Sequence, residues 1–182
     1  MGLIDYLQRA TDAAFNQPII LIVLLNIFML IASYTDIKSM KIYNKFNIVM
    51  LITRIVSIIA MLLLKEMTML DALGYLGGAV IMFLAFLIPA MITLDSIGGD
   101  IKFAFNVGFW IGLRAALLVS CIASITNFLF RILFVGQKDK EPYFGIFMNV
   151  PVKIMAKKIL PLGPFFYLGY IVLFIIKLIM FP

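Results

Sequence analysis

The chain has 182 residues, of which 64% are hydrophobic and only 13% charged, with a mean hydropathy of +1.14 and a net charge of +6. A soluble domain of this size cannot bury so much apolar surface, and ten-residue alternating segments of a membrane barrel are absent; the apolar residues lie in runs near the ~20 residues that cross a bilayer. The chain has no histidine and a single cysteine, Cys121, which excludes Ser-His and His-Glu-x-x-His chemistry, an internal disulfide and a Cys-based zinc or iron–sulfur site.

The composition predicts an all-α polytopic membrane protein of about six transmembrane helices, forming one domain over residues 1–182. Residues 1–17 carry Asp5, Arg9 and Asp12 where a signal peptide would carry a basic region. Leu3, Leu7, Ala10 and Ala14 recur at helical spacing, so this segment reads either as a helix along the interface or as a solvated tail. The first span is expected at about 18–35 and ends on Tyr34-Thr35-Asp36-Ile37-Lys38. A short loop with Lys41 and Ile42-Tyr43-Asn44 follows. The second span, about 45–64, holds Arg54, read first as a snorkelling or structurally hydrogen-bonded cation and second as a functional one. Asp71 stands at the start of the third span, about 70–93, and reads as its N-cap. Gly74-x-x-x-Gly78 in that span, and Gly108-x-x-x-Gly112 in the fourth, allow close helix approach.

The fourth span, about 100–113, is the shortest and is preceded by Ile97-Gly98-Gly99-Asp100-Ile101-Lys102. The fifth, about 114–135, contains Cys121 and nears its end at Arg131. A basic loop, 136–160, carries Lys138, Lys140, Lys153, Lys157 and Lys158, and its last part reads as a helix on anionic lipid. Pro161-Leu162-Gly163-Pro164 then forms a rigid opening to the last span, about 161–181, where Lys177 lies near the far end.

Charge placement sets the orientation. Lysines crowd the loops after spans one, three and five, whereas the opposite side holds Arg9, Lys65 and Arg114. The positive-inside rule puts the Lys-rich loops in the cytoplasm and both termini outside. That placement explains the positive charge through membrane topology and lipid contact, without a nucleic-acid partner.

Asp36 and Asp100 each open the same tripeptide, Asp-Ile-Lys, at the cytoplasmic end of a span. Carboxylates at a membrane boundary are costly and are usually retained for function. Gly98 and Gly99 let the backbone unwind or approach closely beside the second acid, and irregular backbone at membrane depth is tolerated where it lines a wet cavity. Two close carboxylates share a proton, so one can activate water while the other protonates a carbonyl oxygen. Lys38 and Lys102, two residues along from the acids, point away on a regular helix. They read mainly as topology and headgroup contacts, with tuning of the acids as a second role.

These residues resemble the type IV prepilin peptidases, membrane aspartic proteases that share a Gly-x-Gly-Asp signature with presenilin. Asp36 with the later Ile42-Tyr43-Asn44, Asp100 with Gly99 and Lys102, and Pro161-Leu162-Gly163-Pro164-Phe165 match three motifs of that family in order. The sequence departs from the pattern at Tyr43, where a proline is usual, at Ile97 for the first glycine, and at Leu162 for a phenylalanine. The resemblance implies Asp36 and Asp100 as the catalytic acids, with Gly98, Gly99, Asn44, Pro161, Gly163 and Pro164 shaping the site. It also implies a pilin-like precursor as substrate, cut after a glycine between a hydrophilic leader and an apolar helix. With one cysteine, the chain is similar to the short, peptidase-only form without the Cys-tetrad methylating domain, as in Tad/Flp pilus systems. Neither a metal nor a cofactor is expected. Two other readings stay open from the residues alone: an ion- or proton-coupled transporter using the membrane carboxylates, and an inactive relative that scaffolds pilus assembly.

Overall fold

The computed structural model describes residues 2–39, 41–93, 98–130 and 161–181. Ile97, Asp95, Arg131 and the basic loop with its expected lipid-surface helix lie outside them. Seven helices make up the described residues: α1 Leu3–Phe15, α2 Ile19–Ser39, α3 Asn44–Leu63, α4 Met69–Thr93, α5 Gly98–Ile111, α6 Leu113–Phe130 and α7 Gly163–Met180. Five of them, α2, α3, α4, α6 and α7, are long and apolar enough to cross a membrane. Their outer faces leave large aliphatic side chains such as Ile19, Leu63 and Leu70 more than two-thirds exposed, as expected where lipid replaces water as the solvent. The chain is an all-helical, multi-pass membrane protein.

The fourth expected span, α5, has only 14 residues, a rise of about 21 Å against a hydrocarbon core of about 30 Å. It is the hub of the bundle. α5 packs against α1, α3, α4, α6 and α7, and Trp110 meets Phe28 of α2 edge-on at 5.8 Å. Ile101, Phe103, Ala104, Val107, Trp110 and Ile111 on α5 are all buried. Surrounded by other helices, this element needs neither full membrane length nor a lipid-facing stripe.

Glycine brings α4 and α5 together. A Cβ on Gly78 would sit 2.5 Å from the Gly108 carbonyl oxygen and 2.6 Å from the Gly112 carbonyl carbon, whereas a Cβ on Gly74 would meet nothing within 4 Å. The α4 contact therefore centres on Gly78, while both glycines of the α5 pattern take part. Gly112 also makes the break between α5 and α6, at φ +80, a left-handed conformation that glycine adopts without a Cβ penalty.

The sequence expectations need refinement at three places. The N-terminal segment is a helix that buries Ala10, Thr11, Ala14 and Phe15 against α6, α7 and α5, so the solvated-tail reading does not hold. Its Asp12 accepts an ion pair from Lys177 of α7 at 2.6 Å. Asp71 is in the first turn of α4 but is not the cap. Its Oδ2 accepts from the Thr68 N–H and hydroxyl, and the Asp71 N–H donates to Thr68 Oγ1, the reciprocal pattern of a capping box. Arg54 is fully buried and donates to backbone carbonyls; the hydrogen-bonded reading holds and snorkelling does not.

Candidate active site

Four chain segments converge at one end of the bundle: the last turn of α2, the loop into α3, the first turn of α5 and the first turn of α7. Asp36 lies in the last turns of α2 and is only 2% exposed. A carboxylate near a helix C-terminus faces the negative end of that helix dipole, and here a donor from another helix offsets it. The Gly163 N–H, at the start of α7, donates to Asp36 Oδ2 at 2.8 Å. The first N–H groups of a helix have no partner within it, so α7 presents an unused donor to the acid. The close fit depends on glycine: a Cβ on Gly163 would lie 3.2 Å from Asp36 Oδ2 and 3.3 Å from Ser33 Cα. Pro164 follows within the first turn of α7, where the N–H it lacks would have no helical acceptor.

Asp100 occupies the first turn of α5, the favourable end for negative charge, and is half-buried. It lies within electrostatic range of Asp36. The two acids, 64 positions apart (100 − 36) in the sequence, thus lie at the same end of the bundle.

The loop after α2 and the glycines before Asp100 pack as one unit. A Cβ on Gly99 would lie 2.8 Å from the carbonyl oxygen of buried Ile42, so the backbones meet there directly. Gly98 has nothing within 4 Å of its Cβ position and is exposed; of the two glycines, Gly99 makes the contact. Tyr43 caps the start of α3 at φ −70 and ψ 137. Proline fixes φ near −65°, so tyrosine here holds a backbone angle close to that of a proline.

Neither lysine beside the acids engages an aspartate among the described residues. Lys102 Nζ donates to Asn44 Oδ1 at 3.0 Å, and Lys38 Nζ lies 5.6 Å from the centre of the Tyr34 ring. Lys102 thereby ties α5 to the start of α3, giving Asn44 a defined place in the site. Pro161 and Leu162 are half-buried just before α7, and the Leu162 carbonyl accepts the Phe165 and Phe166 N–H groups.

Sequence reasoning missed a second rung of this tie. Asn47 Nδ2 donates to the Gly99 carbonyl at 3.3 Å, and Asn106 Nδ2 donates to the Asn47 carbonyl at 3.0 Å. The signal was present in the helical period. Asn44 and Asn47 are three apart on α3, Lys102 and Asn106 four apart on α5, so each pair shares a face. Among the described residues, no three of His, Cys, Asp and Glu cluster to hold a metal ion.

The family model of the type IV leader peptidases matches residues 23–132, well over half of the chain, including both aspartates. The chain belongs to the type IV leader peptidase family. No curated protein and no solved structure matches it. The family match ends before Pro161, so the approach of Gly163 to Asp36 comes from outside the matched segment. Within it lie α3 to α6 and most of α2, which carry the acids, Asn44, Gly98 and Gly99.

Proposed function

We propose that this member of the type IV leader peptidase family is an aspartic endopeptidase that removes the leader from prepilin-type precursors at the cytoplasmic face of the membrane. Asp36 and Asp100 are its catalytic pair. The observation that carries the reading is their convergence: two acids from separate helices lie within electrostatic range at one end of a membrane bundle. Two carboxylates so placed do not both ionise readily and titrate as a pair. One takes a proton from the attacking water, while the other gives a proton to the scissile carbonyl oxygen. Collapse of the tetrahedral intermediate breaks the C–N bond: the carboxyl that took the water proton passes it to the leaving amine, and the other recovers its proton from the gem-diol hydroxyl, which restores the pair.

Gly99, Asn44, Pro161, Gly163 and Pro164 shape the site around those acids. Lys38 and Lys102 act at its rim, Lys102 by holding Asn44 and both by contact with lipid headgroups. The single membrane domain faces its acids to the cytoplasm, where the hydrophilic leader of the precursor waits while the following apolar helix lies in the bilayer. Neither a metal nor a cofactor takes part.

Co-expression with a prepilin-type precursor from the same genome tests the reading. The expected result is a mobility shift of the precursor, with the product's new N-terminus directly after a glycine. An unprocessed precursor beside correctly inserted protein would contradict it and leave the transporter or scaffold readings.

A further inference from the structure

Arg54 lies in the middle of α3, is 0% exposed and has no carboxylate partner among the described residues, where the ion pair is Lys177 with Asp12. A cation inside a membrane span is expensive, and its partners usually say why it is there. Every partner of Arg54 lies at the C-terminal end of α5 or against it. Its Nε donates to the Phe109 carbonyl at 3.1 Å and its Nη2 to the Trp110 carbonyl at 3.2 Å. Its Nη1 donates to Gln17 Oε1 at 2.8 Å, and Gln17 Nε2 in turn donates to the same Trp110 carbonyl at 3.0 Å. The guanidinium carbon stands 4.2 Å from the centre of the Tyr75 ring, close enough for a cation–π contact.

The last carbonyls of a helix have no donor within it, and the end is negative. The Gly108 carbonyl is taken by the Gly112 N–H; those of Phe109 and Trp110 are taken by Arg54. The guanidinium is thus the C-terminal counter-charge of the helix whose first turn carries Asp100. The same helix needs an axial lock for a second reason. Its broadest contact is with α4, across the backbone-to-backbone approach of Gly78 to Gly108 and Gly112. A glycine contact offers few side-chain knobs to resist sliding. α5 is a short rod, so an axial shift at Trp110 is carried to Asp100.

We propose that Arg54, braced by Gln17, is a positioning residue that fixes the axial register of α5 and so the placement of Asp100 against Asp36. The proposal rests on the reading of Asp100 as one of the catalytic pair. The planar fork matters as well as the charge, because it reaches two successive carbonyls and Gln17 together; lysine offers one compact ammonium.

The test is steady-state cleavage of a synthetic precursor peptide, with a hydrophilic leader ending in glycine before an apolar segment, by purified full-length variants. Rates are taken per folded molecule, with thermal stability measured beside them. Arg54→Met is expected to lower kcat about a hundredfold with KM within about threefold, as a displacement near 1 Å of a reacting group does. Arg54→Lys, which restores charge at the α5 terminus, is expected to recover about tenfold of that loss. If Arg54→Met does not accumulate, Gln17→Leu decides: it removes the brace, together with the Gln17 bonds to the Ala13 and Ala14 carbonyls, and is expected to lower kcat about tenfold at unchanged KM. Asp100→Asn is assayed in parallel. Full activity in Asp100→Asn overturns the reading of the site itself. An inactive Asp100→Asn beside Arg54 and Gln17 variants that lose stability but keep wild-type kcat overturns the positioning role alone.

Discussion

The backbone N–H of Gly163 donates to Asp36 Oδ2 at 2.8 Å across 127 positions of sequence. One hydrogen bond thus joins the start of the last helix to the end of α2, and it makes the opening of α7 part of the site. The glycine is needed because the α2 backbone lies against it, with the Ala32 carbonyl oxygen 3.4 Å from where a Cβ would be.

Gly163→Ala should therefore act on the reaction more than on the fold. The added methyl group would lie 3.2 Å from the Asp36 carboxylate, and relieving that contact moves either the acid or the donor. Overpacking of this kind costs about 1–3 kcal/mol. Cleavage assays should show a loss of roughly tenfold or more with the protein still inserted and monodisperse. Wild-type rates would mean that the Gly163 bond is dispensable.

The two glycines before Asp100 should behave differently from one another. Gly99→Ala forces a methyl group to 2.8 Å from the Ile42 carbonyl oxygen, a backbone atom with little freedom to move, while Gly98→Ala meets nothing within 4 Å. Cleavage and thermal denaturation in detergent should both suffer in Gly99→Ala and stay near wild type in Gly98→Ala. The reverse order would contradict the packing of the α2–α3 loop on α5.

Topology offers an independent check, because Lys41 and Lys65 flank α3, Asn44–Leu63. Single cysteines placed at 41 and 65 in a Cys121→Ser background should label from opposite sides of the membrane, with position 41 cytoplasmic. Labelling of both from one side would separate the acids from the leader of the precursor.

Cleavage should survive an excess of chelator undiminished. The chain lacks histidine and has one cysteine, whereas catalytic zinc sites take three protein ligands, commonly including histidine. Loss of activity in chelator, restored by adding magnesium back, would instead favour a hard cation held by the two acids through water.

Much of this architecture is legible in the sequence, for identifiable reasons. Hydropathy fixed α3 and α4 to within a residue or two at each end, because a lipid-facing helix must be apolar along its whole length. The acids stood out because a carboxylate in such surroundings is conspicuous. Long-range polar partners were not legible. Nothing local to Arg54 points to carbonyls 55 and 56 positions away, and backbone acceptors leave no trace in side-chain identity. The docking of α1 was hidden for a similar reason: Ala10 and Ala14 are too small to mark a buried stripe, and their burial depends on helices far along the chain. Asp71 was misplaced by three residues of register, since Thr68 competes with it as a cap and the pair works reciprocally. The length of α5 was blurred by Gly112, whose left-handed turn interrupts an otherwise continuous apolar run.

The central claim is that Asp36 and Asp100 form one catalytic unit, and the most direct measurement is precursor cleavage by Asp36→Asn and Asp100→Asn, each in correctly inserted protein. Because acid and base act together, removing either loses nearly all of the chemistry. Both variants should be inactive, with losses of at least about a thousandfold, while Asp95→Asn, five positions before Asp100, cleaves at the wild-type rate. Retained cleavage in either the Asp36 or the Asp100 variant, or loss confined to Asp95→Asn, would contradict the assignment.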